Sequence, residues 1–197
     1  MTFKHCVSLG ILATSTLIGG PALSSDLGRV ERAGVSEAGK TDTLSVADRS
    51  FLKKAAIGGM SEVEMGKLAV QKATRDDVKK FGQRMIDDHT KANDKLKELA
   101  KRKGFTPPDK LDEEHQKMLD DMGKMSGMAF DEHYVKMMVE DHDTDVGEFK
   151  KEKDKADDGE VKAFAKETLP TLESHQKAIK AIDAKMKADA KTPKKTK

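Results

Sequence analysis

The sequence predicts an all-α protein, a four-helix bundle flanked by extensions, and three observations carry that reading. Charged residues make up 37% of the 197 positions and aromatics only 4%, with one tyrosine and no tryptophan. Such a composition favours helices with thin apolar stripes over sheets. No run of Val, Ile and Thr alternates with a period of two over strand length, as a half-buried strand requires. Four long segments instead carry apolar residues at three-to-four spacing, the signature of an amphipathic helix.

The chain opens on Lys4, its only early cation, followed by the short apolar segment Cys6 to Gly20, which lacks acids. Pro21-Ala22-Leu23-Ser24 then sets small residues before a cut at Ser24/Ser25. This is the pattern of a secretory signal peptide over residues 1–24, too short and wrongly flanked for a stable membrane span. It predicts a periplasmic or secreted protein. Cys6 leaves with the leader, so the mature chain has no disulfide framework and no thiolate metal site. Removing Lys4 leaves 36 basic residues against 35 acidic ones, which gives no case for nucleic-acid binding.

Residues 25–46 mix Gly, Ser, Thr, Asp and Glu without periodicity and read as a flexible linker. The bundle domain is expected over 47–188. Its first helix, about Ala47 to Ala73, carries Leu52, Ala55, Ala56, Gly59, Val63, Gly66 and Val70 on one side, a stripe of small residues with Glu62 at its edge. The second, about Asp76 to Lys103, is expected to start on an N-cap at Thr74 and to stop at Gly104, ahead of Pro107-Pro108. Residues 105–128 connect it to the next helix and contain a short helical piece, about Asp112 to Gly123. A connection of that length can return along a helix of roughly 40 Å at 1.5 Å per residue. It permits an up-down-down-up bundle with a long crossover, as in ferritin-like folds. A simple up-down bundle capped by a fifth short helix is the alternative. The third helix runs from about Phe130 to Asp157. The fourth runs from about Glu160 to Ala188, with Pro170 expected to kink it before His175. The tail 189–197 is lysine-rich and reads as a solvated, disordered end.

One template occurs twice. Phe81-Gly-Gln-Arg-Met-Ile-Asp-Asp-His89 returns fifty-three positions later as Tyr134-Val-Lys-Met-Met-Val-Glu-Asp-His142. Each copy ends in Asp-His with the histidine on the apolar side. Glu62, His89, His142 and His175 all fall near the middle of their own helices. Mid-height residues of neighbouring helices meet whichever way the helices point, because each residue shifts height by only about 1.5 Å. The four therefore describe one polar layer inside a bundle.

Imidazoles with a carboxylate suit zinc, copper, iron or nickel. Asp88 and Asp141, each rotated about 100° from its histidine, are placed to orient a neighbouring ring. The same residues also suit a metal-free buried network in which carboxylates and histidines satisfy one another. His115 and His133 fall outside the layer. The run Met118, Met122, Met125 and Met128 has soft-ligand chemistry, but its spacing matches core and cover packing. There is no Gly-rich phosphate loop, nucleophile elbow or mature cysteine, so the chain carries no recognisable enzyme motif.

Glu62-Val-Glu-Met-Gly-Lys-Leu-Ala69, Met85-Ile-Asp-Asp-His89, Phe130-Asp-x-x-Tyr134, Met138-Val-Glu-Asp-His142 and Leu169-Pro-Thr-Leu-x-x-His175 together resemble a bacterial secreted family catalogued as domain of unknown function 4142. The resemblance covers about residues 47–184. It implies a ferritin-like four-helix bundle in an extracytoplasmic compartment and no established activity. Di-iron enzymes of that fold use Glu-x-x-His on two helices. Here Ile86, Val139 and Leu172 stand three before the histidines, so the bridging carboxylates are missing. The expected role is metal binding for sequestration or stress protection, or a metal-free structural or interaction module of the cell envelope with a protein partner there.

Overall fold

The computed structural model describes residues 44–191; the leader, most of the linker and the tail from 192 onward lie outside them. Five helices and no strand occur among the described residues: α1 (Val46–Lys72), α2 (Asp76–Arg102), α3 (Glu113–Gly123), α4 (Gly127–Lys155) and α5 (Gly159–Lys191). Their ends fall within about three residues of the expected ones, the usual latitude of helix boundaries.

Local chemistry sets those ends. Ser45 opens α1 by accepting the Asp48 amide at 3.0 Å, and Asp112 opens α3 by accepting the His115 amide at 3.0 Å. Gly104 closes α2 at φ 61°, where a side chain would be strained. Phe105 N then donates to Ala100 O and Gly104 N to Lys101 O, the two bonds of a Schellman stop. Thr74 does not cap α2: Arg75 holds that position and no side chain caps it. The Thr74 hydroxyl donates to Asp131 on α4 instead. Helix α5 continues unbroken through Pro170.

The stripe on α1 is rotated from the expected one. Val70 is exposed and Val63 half-buried, whereas Met65 and Ala69 are fully buried. Close approach of α2 causes this. A Cβ on Gly66 would fall 2.6 Å from Gly82 O, and one on Gly82 would fall 2.7 Å from Ala69 Cβ. The two backbones therefore cross where neither glycine can carry a side chain.

Topology follows from the turn contacts. The start of α4 (Asp131) meets the end of α1 (Thr74), and the start of α1 (Asp48) meets the α4–α5 turn (Asp157 and Asp158). The end of α2 meets the start of α5, through Arg102–Glu160 and Lys103–Asp158, each 2.8 Å. Helices α1 and α4 are thus antiparallel, and the connection holding α3 returns along the bundle. This is the up-down-down-up arrangement, and the capped up-down alternative is set aside.

Each hairpin closes the other's turn. The fully buried Asp131 carboxylate accepts the Thr74 and Arg75 amides, and the fully buried Asp48 accepts those of Asp157 and Asp158. Eighty-three positions separate the two aspartates. The same interval separates Phe51 from Tyr134, Val78 from Val161, and Phe81 from Phe164. All of these residues are buried, so the α1–α2 and α4–α5 hairpins are related by an approximate two-fold.

The core is split in two. One half gathers Phe51, Phe149 and Phe164, with the first two rings 4.9 Å apart edge to face. The other gathers Phe81, Phe130, Tyr134 and the methionines Met65, Met85, Met122 and Met138. Met122 and Met138 are fully buried, Met118 and Met125 pack against that half, and Met128 is 51% exposed. The crossover methionines thus cover the core as their spacing suggested.

Candidate metal centre

Between the two halves lie Glu62, His89, His142 and His175, one from each long helix and each at most 5% exposed. Glycines make this meeting possible. Gly59 and Gly66 flank Glu62 on α1, and a Cβ on Gly59 would sit 2.2 Å from Asn93 Oδ1. Helix α2 therefore approaches closely enough to set His89 against Glu62, with Nδ1 2.9 Å from Oε2. From α4, His142 Nε2 stands 3.5 Å from Oε1 of the same carboxylate.

Hydrogen bonds fix which nitrogen each ring can offer. His142 Nδ1 lies 2.9 Å from Met138 O, which can only accept, so Nδ1 carries the proton and Nε2 keeps a lone pair. His175 Nε2 lies 2.9 Å from Asp88 Oδ2, so it donates and leaves Nδ1 free. His89 turns Nδ1 to Glu62 and leaves Nε2 without a hydrogen-bond partner. Each of the three rings thus has one nitrogen facing an oxygen acceptor and one buried nitrogen with no hydrogen-bond partner. One ring nitrogen of each lies within 4.8 Å of the others. Phe81 closes one side, its centroid 6.1 Å from His142 and 6.3 Å from His175.

Electrostatics divides the histidines. Burial pushes His142 and His175 down, the latter to about 4, so both are neutral at pH 7. Burial also works against a charge on His89, but the Glu62 carboxylate outweighs it and holds His89 up. In turn, the cost of burying Glu62 is outweighed by the neighbouring rings, His89 foremost, and its carboxyl stays ionised. Two neutral imidazoles and the His89–Glu62 pair therefore share the layer. A cation entering it meets two ready lone pairs and a carboxylate, while His89, held up by Glu62, gives up a proton less readily than a free imidazole.

The expected residues separate in a definite way. Glu62 is central in the layer, not at the edge of its stripe. Asp88 reaches His175 on another helix, not its neighbour His89. Asp141 is half-buried beside Glu62, with no histidine hydrogen-bonded to it among the described residues, and burial and Glu62 push it up to about 7. His115 pairs with Asp112 at 2.6 Å, and His133 stays outside the layer. Sequence reasoning passed over Asp145, which is half-buried on α4 and raised well above the usual carboxylate range by burial, Glu62 and Asp141. Its i, i+4 spacing from Asp141 was a visible signal.

Solved structures share the fold. The DUF305 fragment from Deinococcus radiodurans aligns with a TM-score of 0.61 at 11% identity, over 71% of this chain and 97% of that one. CopM in its Cu(I)-bound form aligns with a TM-score of 0.59 at 18% identity, over 71% and 96%. A DUF305 protein from Streptomyces coelicolor, described as a "putative secreted protein", aligns with a TM-score of 0.59 at 15% identity, over 71% and 91%. No curated protein matches the chain by sequence. Residues 33–182, which span the whole bundle as far as Ile182, match the family described as Domain of unknown function (DUF4142), and the chain belongs to that family.

Proposed function

We propose that the protein is an extracytoplasmic metal-binding bundle that holds one transition-metal ion in the layer formed by His89, His142 and His175, with Glu62 beside them. The observation that carries this reading is the set of three buried ring nitrogens without partners, one per histidine, on rings whose other nitrogens are held by oxygen. Leaving such groups unsatisfied is costly in a core. Holding a metal-ligating imidazole by its far nitrogen is the usual way its tautomer and angle are fixed. Met138 O, Asp88 and Glu62 fill that holding role. Imidazole donors suit copper and zinc, with copper at the top of the divalent affinity order, and CopM, which shares the fold, has been solved in Cu(I)-bound and silver-bound forms. Sequestration of copper outside the cytoplasm fits the leader-like first 24 residues. Among the described residues no helix is long and apolar enough to cross a membrane.

A second reading rests on the ion pair already present, Glu62–His89 at 2.9 Å, and on His175–Asp88. On that reading the layer is a metal-free network that specifies the core of an envelope interaction module. Metal analysis of untagged protein separates the two. One equivalent of copper or zinc should bind and raise Tm, with stabilisation of about 2.7 kcal/mol at a hundredfold excess over Kd. His142→Ala should abolish binding and His133→Ala should not. Absence of bound metal together with an unmoved Tm in copper and zinc would overturn the metal reading.

A further inference from the structure

A layer this deeply buried needs a way in, and we infer that a hydrated metal cation reaches it through the acid-lined groove between α1, α3 and α4, with Asp145 at the inner end. The inference rests on the metal-binding reading above. The groove has a volume of about 380 Å³ and is lined by six acidic side chains (Glu62, Asp112, Glu114, Asp141, Asp145 and Glu148) against one lysine, Lys54. Lys54 is itself tied to Glu148 at 2.6 Å. Such a one-signed cleft with low-dielectric walls concentrates cations.

Acidity alone would make this an ordinary solvated face. Ser61 adds an independent feature: the residue borders the groove, is 1% exposed, and its buried Oγ has no hydrogen-bond partner. An unpartnered oxygen is thus buried beside the groove, one residue from Glu62. Behind the floor lies a small cavity of about 30 Å³ bordered by Glu62, His89 and Asp145. Groove and cavity share Lys54, Gly58, Glu62 and Asp145 as common wall, so those residues stand between the groove and His89. Asp145 takes part in no hydrogen bond or ion pair among the described residues, which leaves its carboxyl oxygens available to exchange with the water around a passing cation. Three other grooves, beside Met186, Leu111 and Leu119, touch none of the four layer residues.

Gly58 gives the test its handle. It borders both spaces, and a Cβ added there meets nothing within 4 Å, so the backbone accepts a side chain and Gly58→Leu narrows the wall. Stopped-flow uptake of Cu²⁺ alone by the untagged chain, and its release to a chelator, supply the rates. Asp145→Asn should slow uptake roughly tenfold, the low end of what an acid-lined cleft contributes, because the amide removes an oxygen that can become an anionic ligand as the cation arrives, whereas the surface change Glu98→Gln leaves it unaltered. Gly58→Leu should slow uptake and release by a common factor and leave Kd unchanged, since a barrier on the route acts in both directions. Uptake by Gly58→Leu at the wild-type rate overturns the route, whatever Asp145→Asn does, and an unchanged rate in Asp145→Asn overturns that residue's part. Wild-type protein that takes up no Cu²⁺ overturns the metal reading and the route with it.

Discussion

Replacing Asp131 by alanine should cost more stability than any single surface change, and the structure gives the size. The carboxylate is fully buried and accepts the Thr74 amide at 3.0 Å, the Arg75 amide at 3.1 Å and the Thr74 hydroxyl. Hydrogen bonds to a charged partner contribute about 1.5–3 kcal/mol each. Alanine leaves two amides and a hydroxyl without the carboxylate, although water can reach a turn more readily than a mid-bundle site. Loss of about 3–5 kcal/mol follows, a fall in Tm of about 10 °C for a chain of this size. Urea and thermal unfolding followed by far-UV circular dichroism, with a chelator present, measure it. Thr74→Ala should cost about 1 kcal/mol alone, and the double mutant should fall short of additivity by about 1–2 kcal/mol. Asp48→Ala, which frees two amides and no hydroxyl, should cost less than Asp131→Ala. A loss under about 1 kcal/mol for Asp131→Ala would refute the claim that this carboxylate locks the two hairpins together.

Other perturbations bear on the packing around the site. Gly66→Ala should destabilise by about 1–3 kcal/mol, the usual cost of overpacking, because its Cβ meets Gly82 O at 2.6 Å; a stabilised variant would argue against the close crossing. Tyr134 is buried with its hydroxyl unpartnered, so Tyr134→Phe should be neutral or stabilising by up to about 1 kcal/mol, whereas marked destabilisation would reveal a hydrogen bond. Glu152 is 7% exposed and its carboxyl is raised, first by burial and then by neighbouring acids that include Asp48. Its folded form holds the proton longer than the unfolded chain, so ionisation costs the fold nothing below the unfolded value near 4.5 and more as pH rises through the folded one. Glu152→Gln should therefore stabilise at pH 8 and do nothing at pH 4 in urea titrations, and an equal gain at both would contradict that sign.

Helix number, helix extent and the height of the polar layer were legible because each depends on spacing along one chain segment. Glu62, His89, His142 and His175 could be set level by counting residues from the helix ends. What a linear pattern does not hold is rotation between helices and the partner across a gap. Glu62 looked peripheral because the stripe was drawn through Val63 and Val70, and the Gly66–Gly82 crossing turns α1 past it. Asp88 stands beside His89 in sequence yet serves His175, eighty-seven positions away. Nothing local in the sequence announces that another hairpin's amides await Asp48 and Asp131. The choice between the two topologies needed those same turn contacts.

The approximate two-fold bears on how many ions one chain can hold. Shifting Glu62, His89, His142 and His175 by the same eighty-three positions, forward or back, lands on Asp145, Leu172, Gly59 and Ala92. All four border the cavity of about 30 Å³, room enough for a water. The bundle thus carries two equivalent sets of positions at this height. One is furnished with imidazoles, and the other keeps only a carboxylate among residues too small or too apolar to donate. A duplicated scaffold of this kind predicts a stoichiometry of one, with the unfurnished twin supplying room beside the occupied compartment and not a second berth.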